Sequence, residues 1–441
     1  MNRGATWCAR VVLTVSALLA GGCVTTEGAA QEEVAAVSDG AVPLPPIRPE
    51  RAADRDGTVV PSGDFDAWRG GFRQRALAAG ITGEVFDAAF AGVTVNARVL
   101  ELDRYQPEFV RPIWEYLDSA VSKTRIADGR ARASERRRTL RGIEARYGVD
   151  LGIVAAIWGI ESAYGLDYGA IPVIESLATL AFEGRRRAFA EEQLIAALRI
   201  LQSGDVSLER MAGSWAGAMG HTQFIPTSFE AYAVDYTGDG KRDVWSDNPA
   251  DALASTANYL SRFGWRRAEP SVIEVAPPGG FDYRLADDKT RKSAAEWEAL
   301  GVRAISGRLL PSDAVTILLP AGARGPAFAV YPNFRVIKRY NNATSYALAV
   351  ALLAGQIDSS IAFGLRTAMD WPRGDRPLSG NETEELQRRL TALGYPTLGV
   401  DGIIGPNTRS AIRGFQADQE MIPDGYVSAA LLERVRAAAG G

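Results

Sequence analysis

The sequence is poor in the residues that most enzymes use for acid–base and metal chemistry. One histidine (His221) and two cysteines (Cys8 and Cys23) occur in 441 residues. A Ser-His-Asp hydrolase would have to depend on His221, and a Cys/His zinc cluster has too few ligands to form. Excess charge is also missing: 49 Lys and Arg stand against 53 Asp and Glu, a net charge of −4. Nothing in that balance attracts nucleic acid. Nor does any apolar run approach the roughly 20 residues that a helix needs to cross a bilayer. Apolar residues nevertheless make up 46% of the chain and charged residues 23%, the composition of a globular protein, and the length allows two to four domains. If the chain is an enzyme, its proton chemistry rests on carboxylates.

The first residues read as an address. Arg3 and Arg10 flank a basic start, and residues 11–19 form a short apolar run that fits a secretory signal. Leu19-Ala20-Gly21-Gly22-Cys23 resembles a bacterial lipobox, whose cysteine is acylated and becomes the first mature residue. An ordinary signal peptide with a nearby stray cysteine is the alternative, and both readings export the chain. Processing at Cys23 would remove residues 1–22, leave no free thiol and give a stable multi-acyl anchor. By resemblance to enteric lipoproteins, where aspartate at this position marks inner-membrane retention, Val24 implies the outer membrane. Residues 23–62 are acidic, Ala-rich and Pro-rich (Pro43, Pro45, Pro46, Pro49, Pro61), the text of a disordered tether.

From 63 to 370 the chain reads as a mainly α domain with a small β insertion. Trp68, Phe72 and Leu77, then Phe86 and Phe90, recur at helical spacing. Residues 125–146 read as one strongly basic helix, with a solvated face preferred over a polyanion site. Strands are expected at 272–275, 315–319 and 327–331. Asp150 is placed to cap a helix over 151–164, with Gly165 ending it. On that helix Val154, Ile157, Trp158 and Glu161 share a face, so Glu161 extends an apolar stripe. Desolvation there would raise its pKa into the range of a general acid. A buried Glu paired with an arginine, as in Arg185-Arg186-Arg187, is the competing reading. Further on, residues 213–220 are crowded with small side chains that permit close backbone approach. Thr227-Ser228-Phe229-Glu230 then matches a capping box, and Asp247 or Asn248 before Pro249 reads as a second helix start.

Taken in order, Glu161-Ser162-Ala163-Tyr164-Gly165, Gly213 through Asp235, the Asp235–Trp245 stretch, Ala252 through Leu260, and Arg339-Tyr340-Asn341-Asn342 with Ser345-Tyr346 are similar to the lytic murein transglycosylase B family. The resemblance covers roughly residues 63–370 and implies a lysozyme-like helical catalytic domain. It implies cleavage of the β-1,4 bond between N-acetylmuramic acid and N-acetylglucosamine in peptidoglycan, leaving 1,6-anhydromuramyl ends. Glu161 would then act alone as acid and afterwards base, assisted by the sugar's own acetamido group. Ser214 and Gln223 would contact sugar close to Glu161, while Met219, Phe224, Tyr259, Tyr340, Asn341 and Tyr346 would line the saccharide groove. Core packing is the competing role for each aromatic taken singly, and His221 reads as an incidental member of its loop. No second carboxylate is assignable, Asp167, Glu175 and Glu183 being neighbours in number only. A hydrolysing muramidase and a non-catalytic peptidoglycan-binding scaffold therefore stay open as alternatives.

Asp235, Thr237 and Asp239, followed by Gly240, resemble the start of an EF-hand calcium loop. Lys241 would offer a carbonyl. Position twelve is Ser246 in place of glutamate, and Asp251 would close the site in the family's longer loop. An Asp-Gly turn leading into the next helix explains the same residues without calcium, and no cofactor is required for the chemistry. After a linker at 371–377, residues 378–438 resemble a small three-helix peptidoglycan-binding module. Leu386, Leu390, Leu393, Ile412, Phe415 and Leu431 supply its core, and Asp401-Gly402 and Asp424-Gly425 each turn into a helix. Its role would be to tether the lytic domain to glycan strands.

Overall fold

The computed structural model describes residues 63–104, 111–183, 186–287, 289–361, 365 and 369–440. The signal segment, Cys23 and the tether lie outside these residues. Among the described residues no helix is long and apolar enough to cross a membrane.

The chain opens with α1 (Gly63–Ala78), α2 (Gly83–Ala89), α3 (Ala97–Arg104) and α4 (Ile113–Ala120). Phe65, Trp68, Phe72, Phe86 and Phe90 form a run of ring contacts across α1 and α2, as their spacing predicts. The expected single basic helix is two, α5 (Lys123–Glu135) and α6 (Arg137–Tyr147), broken at Arg136. The break has a packing cause: α5 lies against the core helices α7 (Leu151–Ser162) and α14 (Thr344–Ile357), whereas α6, while still touching α7, packs mainly on α11 (Ala250–Arg262), and one straight helix cannot follow both directions. Several of its arginines bond locally, Arg125 to the Ser119 carbonyl, Arg130 to that of Gln356, and Arg132 and Arg141 to Glu135 and Glu144.

The centre of the domain is α7 (Leu151–Ser162), followed by β1 (Ile171–Pro172), α8 (Val173–Glu183), α9 (Arg187–Ser203) and β2 (Ala212–Gly213), which pairs antiparallel with β1. All of α7 is buried, so the predicted one-faced stripe is in fact a helix apolar on every side, and such a helix belongs in a core. Gly152 lets it approach its neighbour: a Cβ there would stand 3.0 Å from the Ala354 carbonyl oxygen.

Next come α10 (Pro226–Tyr232) and α11 (Ala250–Arg262). Neither starts as expected. Ile225 and Pro249 are the residues at the caps, without side-chain capping bonds. The Thr227 hydroxyl bonds Gln193 and Glu230 faces Arg199, so tertiary partners have taken the residues of the supposed capping box.

The insertion holds β3 (Val272–Ala276), α12 (Ala294–Ala299), β4 (Arg303–Ala304), β5 (Thr316–Leu318) and β6 (Ala327–Val330), with strand order β4-β3-β6-β5, all antiparallel. It has its own core around Trp297, Tyr331 and Ile317. Then α13 (Pro332–Tyr340) and α14 (Thr344–Ile357) return to the main core, α14 packing along α7. The C-terminal module is α15 (Gly380–Ala392), α16 (Pro406–Asp418) and α17 (Ala429–Ala438), with a separate core of Leu386, Leu390, Ile412, Phe415, Leu431 and Val435.

Candidate active site

Helix α7 delivers Glu161 to the interior, where 5% of the residue is exposed. Its neighbour is a tyrosine, not an arginine: the Tyr346 hydroxyl, on the first turn of α14, donates to Glu161 Oε1 at 2.6 Å. Burial pushes the Glu161 carboxyl up to about 8, and the Tyr346 hydrogen bond opposes that rise. At neutral pH the acid is mostly protonated, and among the described residues no other carboxylate contributes to the shift. Of the acidic neighbours in number, Glu175 accepts from Asn96 and Asp167 from the Gly169 amide. Two further tyrosines feel the charge of Glu161. Tyr116 on α4 and Tyr340 at the end of α13 have hydroxyls held protonated by burial first and by Glu161 second.

Immediately after Glu161 the chain turns sharply. Helix α7 stops at Ser162, two residues short of the expected end, and Ala163, Tyr164 and Gly165 all adopt the left-handed region (φ 48°, 63° and 85°). For the two non-glycine residues that is a costly conformation, held by surrounding bonds. Ser162 Oγ donates to the His221 carbonyl at 2.6 Å and accepts the Gly165 amide, and the Tyr164 hydroxyl donates to the Arg125 carbonyl.

The loop at 213–224 folds back against this turn. Close backbone approach requires glycine here: a Cβ on Gly213 would lie 2.1 Å from the Ala218 carbonyl oxygen, and one on Gly220 2.3 Å from that of Val244. Ser214 Oγ accepts the Ala216 and Ala218 amides, so its hydroxyl shapes the loop. Gln223 is left-handed (φ 54°), and its Nε2 donates to the Tyr168 and Gly220 carbonyls. Met219 is fully buried and Phe224 nearly so, as buried as Tyr346. Phe224, Tyr259 and Tyr340 pack ring against ring, and the Tyr259 hydroxyl points away to the Arg339 carbonyl. The Tyr340 hydroxyl donates to the Thr222 carbonyl, and half-buried Asn341 closes α13 while accepting the Ala343 amide.

His221 is no bystander. The indole Nε1 of Trp158 is a donor only, and it reaches His221 Nδ1 at 3.2 Å, so Nδ1 carries the lone pair and Nε2 the proton. Nε2 then donates to the Ser246 carbonyl at 2.8 Å. Burial holds this imidazole below its ordinary pKa, hence neutral. The ring ties α7 to the loop that begins at Asp235.

In that loop Asp235, Asp239 and Asp251 offer carboxylate oxygens within 4.8 Å of one another. Asp235 accepts the Gly238 and Gly240 amides and the Thr237 hydroxyl, and Asp251 accepts the Tyr236, Thr237 and Asp243 amides. Backbone bonds, led by Gly240, hold the Asp235 carboxyl below its usual range, while burial and then the Asp235 charge raise that of Asp251. Three hard oxygen donors that crowd one another suit a calcium-sized cation.

A family model described as the transglycosylase SLT domain matches residues 64–355, more than half of the chain. The chain belongs to the lytic transglycosylase family. A second model, a putative peptidoglycan binding domain, matches residues 379–435 of this transglycosylase. The crystal structure of SltB3 from Pseudomonas aeruginosa in complex with NAG-anhNAM-pentapeptide is 53% identical, covering 84% of this chain and 99% of that one, with a TM-score of 0.81. Membrane-bound lytic murein transglycosylase B of Escherichia coli K12 is 36% identical over 211 residues, 46% of this chain and 56% of that protein; the chain thus spans little more than half the length of that curated relative. The E. coli lytic transglycosylase Slt35 in complex with calcium is 26% identical, covers 67% of this chain and 93% of that one, and has a TM-score of 0.58.

Among the sequence-predicted residues of this transglycosylase, Glu161, Tyr346 and Tyr340 converge, and Asp235, Asp239 and Asp251 form a second group. Tyr116 was not foreseen. It belongs to a short helix remote in sequence, and Ile113-Trp114-Glu115-Tyr116-Leu117 carries no chemical signature beyond amphipathic packing.

Proposed function

We propose that this lytic transglycosylase cleaves the β-1,4 bond between N-acetylmuramic acid and N-acetylglucosamine with Glu161 as its single acid and base. The observation that carries the reading is a buried, protonated Glu161 with a tyrosine partner and, among the described residues, no second carboxylate acting on it. Protonated Glu161 donates to the glycosidic oxygen as the C1–O bond breaks, and the substrate's 2-acetamido oxygen closes on C1. The resulting Glu161 carboxylate takes the proton of the muramyl C6 hydroxyl. That oxygen displaces the acetamido group at C1 and forms the 1,6-anhydro bridge. Tyr346 stabilises the carboxylate between the two steps, and the buried setting excludes competing water. In SltB3 the bound ligand contains an anhydromuramyl sugar, which supports the product assignment.

Calcium fits the second group. Asp235, Asp239 and Asp251, with the Thr237 hydroxyl and the Lys241 carbonyl, would hold the ion, which would neutralise their mutual repulsion and pin the loop. The C-terminal module would keep the enzyme on the wall, and Cys23 would anchor it by acylation in the periplasm, at the outer membrane. Ser214, Met219, Gln223, Phe224, Tyr259 and Asn341 would shape the groove around the sugar.

The test is digestion of purified sacculi by the chain and by Glu161→Gln, with products read by mass spectrometry. Anhydromuramyl ends that disappear in the variant are expected. Reducing ends would instead identify a hydrolase, and binding without product would identify a scaffold. Chelation should lower the melting temperature, and Asp251→Asn should erase the difference between chelated and calcium-loaded samples.

A further inference from the structure

The C-terminal module contains the same turn twice. Gln387 on α15 donates from Nε2 to Asp401 Oδ1 at 2.8 Å, and Gln416 on α16 donates to Asp424 Oδ1 at 2.8 Å. The same Oδ1 accepts the amide two residues on, Ile403 in one turn and Tyr426 in the other, each at 2.9 Å. The glutamine oxygen accepts the following glycine amide in both, and Gly402 and Gly425 share a φ of 70°. Helices α16 and α17 begin five residues after the respective aspartates. In sequence, Leu386-Gln387 answers to Phe415-Gln416 and Asp401-Gly402 to Asp424-Gly425.

The two turns differ in what their outer oxygen meets. Asp424 Oδ2 accepts the backbone amide of Ala323 in the insertion at 2.9 Å, and Gly322 is pressed so close that a Cβ on it would meet that oxygen at 2.5 Å. The second turn is therefore already bound to a stretch of polypeptide, through one carboxylate oxygen and a small-residue backbone. Its twin is open. Asp401 is exposed, its Oδ2 accepts none of the hydrogen bonds found among the described residues, and its Gln387 and backbone partners hold the carboxyl below the usual range. Beside it in the chain Leu398 is 78% exposed, Val400 45% and Ile403 65%, three apolar side chains that flank a fixed anionic acceptor in sequence.

We infer that the Asp401 turn is the wall-binding site of the module and that it takes the peptide stems of peptidoglycan, an amide N–H on Asp401 Oδ2 and alanine methyl groups on Leu398, Val400 and Ile403. This rests on the reading that the enzyme works on peptidoglycan, and it adds which polymer component the module holds. The occupant follows from the twin turn: the same oxygen in the same geometry already holds a peptide amide beside small residues. A glycan would present hydroxyl groups to branched aliphatic side chains that have nothing to return to them.

The full chain carrying Glu161→Gln, with labelled Leu, Val and Ile methyl groups, is titrated with the soluble stem tetrapeptide Ala-γ-Glu-diaminopimelate-Ala. A parallel titration uses peptide-free glycan prepared with an amidase. The tetrapeptide should shift the methyl signals of Leu398, Val400 and Ile403 in a saturable way. Asp401→Asn keeps an oxygen for Gln387 but turns the outer acceptor into a donor, and should weaken that binding about tenfold. Val400→Ser, which leaves the Gln387–Asp401 bond untouched, should also weaken it. Asp424→Asn should leave the titration unchanged. The inference falls if these methyls stay still up to about 5 mM peptide, if glycan moves them in place of peptide, or if Asp401→Asn and Val400→Ser both bind like the parent. A chain that neither binds nor digests sacculi would bring down the peptidoglycan reading itself. Sacculi digested by the unaltered chain with silent methyls would bring down this inference alone.

Discussion

Glu161 and Glu385 are the same side chain on helices of similar length, and the molecule drives them in opposite directions. Glu161 sits in α7, in the core of the lytic domain, where burial lifts its carboxyl to about 8. Glu385 sits on the surface of α15, where the Arg436 guanidinium leads, with Arg389, in lowering it to about 2. Arg436 reaches Glu385 through Nε at 2.9 Å and Nη2 at 2.6 Å, and Arg389 through Nε at 2.8 Å. The difference shows where each region spends its carboxylates. The large domain has enough core to hold an acid out of water and keep it protonated. The small module has little interior, and uses a partly exposed acid to clip α15 to α17.

The largest expected effect breaks the comparison at its buried end. Glu161→Gln should cost about 10²–10⁴-fold or more in turnover, measured as anhydromuramyl release. It should also flatten the stability–pH curve. Because the folded pKa of Glu161 lies above its unfolded value, its stabilisation is full below about 4.5 and is lost as pH rises to about 8, on the order of 4–5 kcal/mol at the limit of that shift. Urea melts across pH 4–9 that show the same slope with and without Glu161 would contradict the assignment.

Removing His221 asks whether the core position of α7 depends on the loop. His221→Leu leaves the Trp158 indole and the Ser246 carbonyl without partners and should destabilise the fold by about 2–4 kcal/mol, read from the denaturation midpoint. An unchanged midpoint would mean that the ring only fills space.

A subtler change sharpens the electrostatics. Tyr346→Phe deletes the hydrogen bond that, among the described residues, favours the charged carboxylate, so the alkaline limb of the pH–activity profile should move upward by about one unit, with turnover about tenfold lower. A limb that stays in place would separate Tyr346 from Glu161.

Glu385→Gln should matter least. Partly exposed ion pairs contribute about 1 kcal/mol or less. The folded pKa of Glu385 lies below its unfolded value, so its contribution is present above about 4.5 and fades as pH falls through about 2. The melting temperature should shift by only a few degrees at neutral pH, and the shift should shrink as pH falls towards and below about 2.

These contrasts also mark how far the residues could be read in order. The strands at 272–276, 316–318 and 327–330 follow from short β-branched or aromatic runs between Gly and Pro, because strand preference and turn chemistry are local. The burial of Glu161 follows in part from its place among Val154, Ile157 and Trp158. Tyr116 was not legible, because its approach to Glu161 spans more than forty residues of chain. The supposed capping box at Thr227 failed for a related reason: Gln193, a residue of α9, won the threonine hydroxyl.

By itself the sequence determined what depends on neighbours in the chain: the helical and strand periodicities, the glycines where backbone crowds backbone, the carboxylate on an apolar helix, and the two Asp-Gly turns that each lead into a helix. Tertiary structure alone decided that α7 is buried on every side, that a tyrosine rather than an arginine meets Glu161, and that the basic stretch breaks at Arg136. It also decided that one Asp-Gly turn is spent on Ala323 while the other stays open. The physical reason is common to all four. Desolvation and hydrogen-bond competition are settled by whichever group arrives in space, and the order of residues along the chain does not say which that will be.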